Sequence, residues 1–110
     1  MKLPNSHRAV ISEQKIRDYL VSPSHSIGRF KARIFNELGF YQHNWLLFQS
    51  ELMTLLANPA HEGESTEYGT KYVIRGIIIG PSGKSLSIVT AWIIRAEEDF
   101  PRFITAYPGD

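Results

Sequence analysis

Residues 68–94 read YGTKYVIRGIII, then GPSG, then KSLSIVTAWII. Tyr68 to Ile79 and Lys84 to Ile94 are rich in β-branched and aromatic side chains, the composition of strands. Between them, Gly80-Pro81-Ser82-Gly83 puts Pro and Gly where a short hairpin turn uses them. A second hairpin follows through Ala96-Glu97-Glu98-Asp99-Phe100-Pro101 into Arg102 to Tyr107. The C-terminal half is therefore expected to be an antiparallel meander.

Upstream, the pattern is helical. Ser12 offers a side-chain oxygen to cap a first helix, Glu13 puts negative charge in its first turn, and Ile11 and Ile16 stand at staple positions. Ile16, Tyr19 and Leu20 make its apolar stripe, and Ser22-Pro23-Ser24-His25-Ser26 ends it. A second helix is expected from Gly28 to Leu38, with Gly39 as a left-handed C-cap. Phe30, Ile34, Phe35 and Leu38 form its apolar face, with Arg29 and Arg33 opposite. A third helix, Trp45 to Leu56, capped by Asn44, is apolar around much of its circumference and reads as packed on more than one side. Asn58-Pro59 stops it, and His61 to Thr66 reads as a loop. Met1 to Val10 reads as an extended lead-in. Helices first and strands afterwards give an α+β fold, N-terminal helices packed on a C-terminal antiparallel β-meander, not a parallel βαβ sheet.

The chain has 110 residues, the size of one domain, with helices in about 1–60 and the sheet in about 66–108. It is 43% hydrophobic and 21% charged, ordinary globular usage. With no Cys, disulfides, a thiol nucleophile and thiolate metal sites are excluded. No apolar run is long enough to span a bilayer, and the first residues do not read as a signal peptide. A cytoplasmic protein with no membrane association is expected. A net charge of +1 puts any attraction to phosphate in local clusters. Walker, dinucleotide-binding and nucleophile-elbow motifs are absent, and the His residues are too scattered for a preformed metal site, so neither metal nor cofactor is expected. Glu97-Glu98-Asp99 reads as solvated surface or as a contact for a basic partner. Nothing in the pattern sets an oligomeric state.

Two groups of residues can carry chemistry. If Arg95 pairs near Arg102, Trp92 lies opposite Thr105 and Thr90 opposite Tyr107, placing two hydroxyls, a phenol and an indole on one face. The first strand adds either Lys71 and Arg75 or Tyr72, depending on a bulge. These are either good strand formers in cross-strand pairs or the wall of a polar cleft, a surface type that binds RNA. Lys31 falls on the apolar arc of the second helix, where an unpaired ammonium is costly to bury. It either snorkels over Phe35 or points into the crevice between helix and sheet, with Arg29 and His25 just upstream. A Lys, an Arg and a His at one groove can neutralise a phosphate and move a proton. RNA cleavage needs no metal in principle, because the 2′-hydroxyl is an internal nucleophile.

Three stretches together resemble the bacterial domain-of-unknown-function family 6883. They are Lys2-Leu3-Pro4-Asn5 with Ala9-Val10-Ile11; Ile27-Gly28-Arg29-Phe30-Lys31-Ala32-Arg33-Ile34-Phe35 closing in Leu38-Gly39-Phe40; and Tyr68-Gly69-Thr70-Lys71-Tyr72, Thr90-Ala91-Trp92-Ile93-Ile94 and Pro101-Arg102-Phe103-Ile104-Thr105-Ala106-Tyr107. The resemblance implies a short stand-alone protein beside a small neighbour, or the end of a large secreted toxin, neutralised in either case by a cognate immunity protein or antitoxin. The element order is similar to that of the barnase, EndoU, colicin and RelE group of metal-independent ribonucleases. The family-like positions are Gly28, Lys31, Ala32, Tyr68, Gly69, Lys71, Thr90, Trp92, Thr105 and Tyr107. Phe30 departs from the pattern, since family members often carry a polar residue before the Lys.

Two functions follow as expectations. In the first, the protein is a ribonuclease-like toxin with RNA as substrate. Lys31, His25, Thr90, Thr105 and Tyr107 are then its catalytic candidates, and Arg29, Lys71 and Trp92 its substrate-binding ones. In the second, it is a non-enzymatic module that binds a protein through the third helix or a sheet edge.

Overall fold

The computed structural model describes residues 1–26 and 28–109. Helix α1 is Glu13–Lys15 and runs on as a π-helical turn, Ile16–Leu20; α2 is Arg29–Glu37 and α3 is Trp45–Thr54. The strands are β1 Ala60–Thr66, β2 Gly69–Ile79, β3 Ser85–Arg95 and β4 Pro101–Pro108. They form one antiparallel sheet in the order β1-β2-β3-β4. The fold is α+β, as the order of periodicities predicts.

Ser12 caps α1, its Oγ accepting the Lys15 N–H at 3.2 Å, and Ile11 and Ile16 are both buried. The helix then widens. The Val21 N–H reaches back five residues to the Ile16 carbonyl at 3.0 Å, the spacing of a π turn. In α2 the buried positions are Ala32 and Phe35, followed by Leu38, and Gly39 takes φ 98° as the left-handed C-terminal residue. Phe30 is not on that face. It lies about 200° round the helix from Ala32 at the usual step, is 64% exposed, and carries the Arg29 guanidinium 4.5 Å above its ring.

Helix α3 buries Phe48 and Leu52, and Leu55 follows in the 3-10 turn Leu55–Ala57. Leu46 and Leu47 are exposed, so the helix packs on one side, not on several. Asn44 does not cap it. Its Oδ1 accepts the Tyr41 N–H at 2.6 Å and its Nδ2 donates to the Gly39 carbonyl at 2.9 Å, closing the preceding turn instead.

Residues His61 to Thr66, expected as a loop, belong to β1, the outer strand. Each of them is exposed, so no buried face imprints the alternation that marks a half-buried strand. The β2–β3 hairpin is in register from Gly69 opposite Arg95 to Ile79 opposite Ser85. Its turn closes with the Gly83 N–H on the Gly80 carbonyl at 2.9 Å, and docks on α2 through the Ser82 N–H on the Leu38 carbonyl at 3.0 Å. Tyr72, Ile74, Ile78, Ile88, Trp92 and Phe103 from the sheet meet Ile16, Leu20, Phe35, Phe48 and Leu52 from the helices in one core.

The lead-in is not simply extended. It holds a 3-10 turn at Ser6–Arg8, and Val10 then pairs in parallel with Arg102. The Val10 N–H bonds to the Pro101 carbonyl and the Phe103 N–H to the Val10 carbonyl, each at 2.9 Å, covering the start of β4. Among the described residues no helix is long and apolar enough to cross a membrane.

Candidate functional site

Strands β3 and β4 do not pair in the expected register. Arg102 lies opposite Ile93, Trp92 opposite Phe103, Thr105 opposite Ala91 and Tyr107 opposite Val89. A register shift between Ala91 and Trp92 leaves Ile104 as the extra residue of a bulge, and Arg95 pairs with Gly69 instead of near Arg102. The offset begins at the turn, where Ile94 faces Pro101 and Trp92 faces Phe103, two residues from the expected pairing, and the bulge then changes it for every pair beyond.

The shift separates the residues expected on one surface. Thr90 and Trp92 are fully buried. The Thr90 hydroxyl donates to the Ile74 carbonyl and accepts the Trp92 indole N–H, both at 2.9 Å. Tyr72 lies opposite Trp92 and joins the core with Thr90, while Arg75 lies opposite Val89, which in turn faces Tyr107, so each alternative for β2 goes with one half of the divided surface. Lys71 is exposed and lies opposite Ile93. Burial raises the Tyr72 phenol above its ordinary range, with Glu62 adding to it. Tyr107 is 41% exposed near the end of β4.

Lys31 leaves α2 toward β4. Its ammonium donates to Thr105 Oγ1 at 2.9 Å and sits 5.3 Å from the centroid of the Tyr19 ring. The side chain is half-buried and is held by a hydroxyl and an aromatic face. The other edge of this small assembly is His25, whose ring meets Tyr19 edge-on at 5.0 Å. Nδ1 of His25 accepts the Gly28 N–H at 2.9 Å, so in the neutral ring the proton is on Nε2. Arg29 turns away, donating to the Ser26 carbonyl and stacking on Phe30.

Tyr19 is the residue that the sequence pattern undervalues, since at its position in the stripe it reads as core. The π turn, which no periodicity announces, sets it between His25 and Lys31. Gly28 permits the approach. A Cβ there would collide with the Tyr19 carbonyl and lie 2.8 Å from the ring's Cδ1. Beside this group opens a cleft of about 460 Å³ lined by Ser12, Gln14, Lys15, Asp18, Tyr19 and His25. The hydrogen bond from Arg17 holds the Asp18 carboxyl below the usual carboxylate range, so it stands ionised and paired at neutral pH. Among the described residues no three His, Asp or Glu side chains gather as a metal site.

The family model described as Domain of unknown function (DUF6883) matches residues 2–110. The chain belongs to the DUF6883 family. No curated protein matches it. The fold of this DUF6883 member is similar to that of a chain in a contact-dependent growth inhibition toxin–immunity protein complex from Klebsiella pneumoniae 342. The TM-score is 0.69 at 19% identity, over 91% of this chain and 99% of that one. At that identity the likeness is one of fold. Of the family-like positions in the DUF6883 chain, Lys31 and Thr105 are joined directly. Thr90 and Trp92 are bonded to each other in the core, while Lys71 and Tyr107 are exposed.

Proposed function

We propose that the chain is a toxin-like, metal-independent ribonuclease that acts in the cytoplasm and is held inactive by a cognate antitoxin or immunity protein. The observation that carries the reading is the Lys31 ammonium fixed to Thr105 and lying over the Tyr19 ring, whose other neighbour, His25, lines the 460 Å³ cleft with it. The fold likeness to a chain of a toxin–immunity complex supports the toxin setting and the kind of partner.

Lys31 supplies positive charge to a phosphodiester, and Thr105 holds it in place. The RNA 2′-oxygen attacks phosphorus, the bond to the 5′-oxygen breaks, and the products are a 2′,3′-cyclic phosphate and a 5′-hydroxyl. His25 is the proton carrier. Its imidazole takes the 2′-hydroxyl proton as that oxygen bonds to phosphorus, and the leaving 5′-oxygen takes a proton from solvent water. Tyr107 orients substrate from the exposed end of β4, and Lys71 and Arg29 add charge for a longer RNA. Thr90 and Trp92 act from beneath, by fixing the sheet that carries Thr105. The chemistry requires no cofactor.

Incubating the purified protein with total RNA in the presence of a chelator tests this. Cleavage leaving cyclic phosphate ends, with slowed growth on expression, is expected. Intact RNA together with normal growth would defeat it.

A second reading rests on Leu46 and Leu47, 58% and 52% exposed on α3. Exposed leucines of this kind suit a protein contact, and the chain would then be a non-enzymatic binding module. Co-purification with the product of the adjacent gene, while RNA stays intact, would favour it.

A further inference from the structure

A second cleft, of about 270 Å³, opens between the start of α1 and the outer end of the sheet. Its polar lining is Ser12, Lys15, Arg95 and Arg102, on a floor that includes Ile93 and Ile104. Ser12 and Lys15 also line the cleft that holds Tyr19 and His25, so the two clefts adjoin at these side chains. No carboxylate lines this second cleft. Glu98 lies next to it and is bonded bidentate to Arg102, both contacts at 2.8 Å, while the Phe100 ring lies 4.9 Å from the same guanidinium. Arg102 is thereby fixed and neutralised. Lys15 and Arg95 are exposed and in no ion pair among the described residues, although the charge of Arg95 is felt by Glu98. Lys15 gives its N–H to the Ser12 cap, and Arg95 ends β3 opposite Gly69.

Two exposed cations outside any ion pair, over an apolar floor and next to a cleft that contains an aromatic ring, match a single-stranded nucleic acid: phosphates along the backbone and a base against the apolar wall. We infer that this cleft is a second phosphate subsite, in which Lys15 and Arg95 hold an RNA phosphate beyond the scissile one. The inference rests on the ribonuclease reading and adds to it a substrate of at least several nucleotides. The chain's small net charge agrees, because binding strength then comes from a few placed cations rather than from a basic surface.

The test uses the full chain and a fluorescein-labelled 2′-O-methyl RNA hexamer, which has no 2′-hydroxyl and stays uncleaved. Anisotropy titrations at several salt concentrations compare wild type with Lys15→Ala/Arg95→Ala. The double variant should bind about 10-fold or more weakly, and its slope of log affinity against log salt should shrink by about 0.7 per cation removed. Arg95→Gln alone, at a surface position, should give about half the change in slope and serves if the double variant does not fold. Unchanged affinity and slope would overturn the inference, as would tighter binding of polyglutamate than of the hexamer, which would assign the cleft to an acidic protein. Cleavage of an ordinary RNA is scored separately. Binding without cleavage leaves the subsite standing and removes the ribonuclease; cleavage without loss of binding in the double variant does the reverse.

Discussion

The Lys31 ammonium and the Thr105 hydroxyl meet at 2.9 Å across 74 residues of sequence, joining α2 to β4. The contact converts a cation on an apolar arc from a liability into a positioned charge. A double-mutant cycle with Lys31→Met and Thr105→Val should show a coupling of about 1 kcal/mol in denaturant unfolding. Additive effects would mean that the ammonium gains nothing from the hydroxyl.

Thr90 links a backbone carbonyl on β2 to an indole on its own strand, in the core. Thr90→Val keeps the shape but strands the Trp92 N–H, and should cost about 1–3 kcal/mol of stability. Trp92 fluorescence during urea unfolding reads this directly. A stability equal to wild type would show that the network carries no weight.

Gly28 is where α2 approaches the π turn. Gly28→Ala has no room for its methyl beside the Tyr19 carbonyl, and overpacking of this kind costs about 1–3 kcal/mol. The melting temperature should fall, and the near-UV circular dichroism of Tyr19 should change. A variant that melts like wild type and keeps its spectrum would count against the described packing.

Two ion pairs tie down the β3–β4 hairpin. Hydrogen bonds from Arg8 to Asp99 and from Arg102 to Glu98 hold both carboxyls below their ordinary ranges. A carboxylate with a depressed folded pKa stabilises the fold above its unfolded value and loses that contribution as pH falls through the folded one. Melting temperature should therefore decline below about pH 4, and Asp99→Asn/Glu98→Gln should flatten that decline. The Arg8–Asp99 pair is exposed and the Arg102–Glu98 pair half-buried, so the effect should be modest and the Asp99 part of it should shrink most in high salt. An unaltered acid limb in the double variant would contradict it.

The fold was legible where one face of an element is buried. Ser12, Gly39 and the 80–83 turn announced their roles because caps and turns have local chemistry. β1 did not, because His61 to Thr66 have no buried side to pattern, and Phe30 was misplaced because the buried arc of α2 is narrower than its apolar composition. In the site, Lys31 stood out as a charge on an apolar arc. The register of β4 is set by a turn two residues tighter than expected and changes again at the bulge at Ile104. Thr90 and Trp92 read as surface because their polar atoms are satisfied by each other and by the Ile74 carbonyl, which no pattern shows. Tyr19 packs against the core as its place in the stripe implies, and its second role, beside His25 and Lys31, has no periodic signal.

The most direct measurement is the rate of cleavage of a short RNA by wild type, Lys31→Ala and Lys31→Arg, each shown to fold by its melting curve. Removing a placed charge from the phosphate should lower kcat/KM by about 10²–10³ in Lys31→Ala, with partial recovery in Lys31→Arg. A folded Lys31→Ala that cleaves at the wild-type rate would contradict the account at its centre.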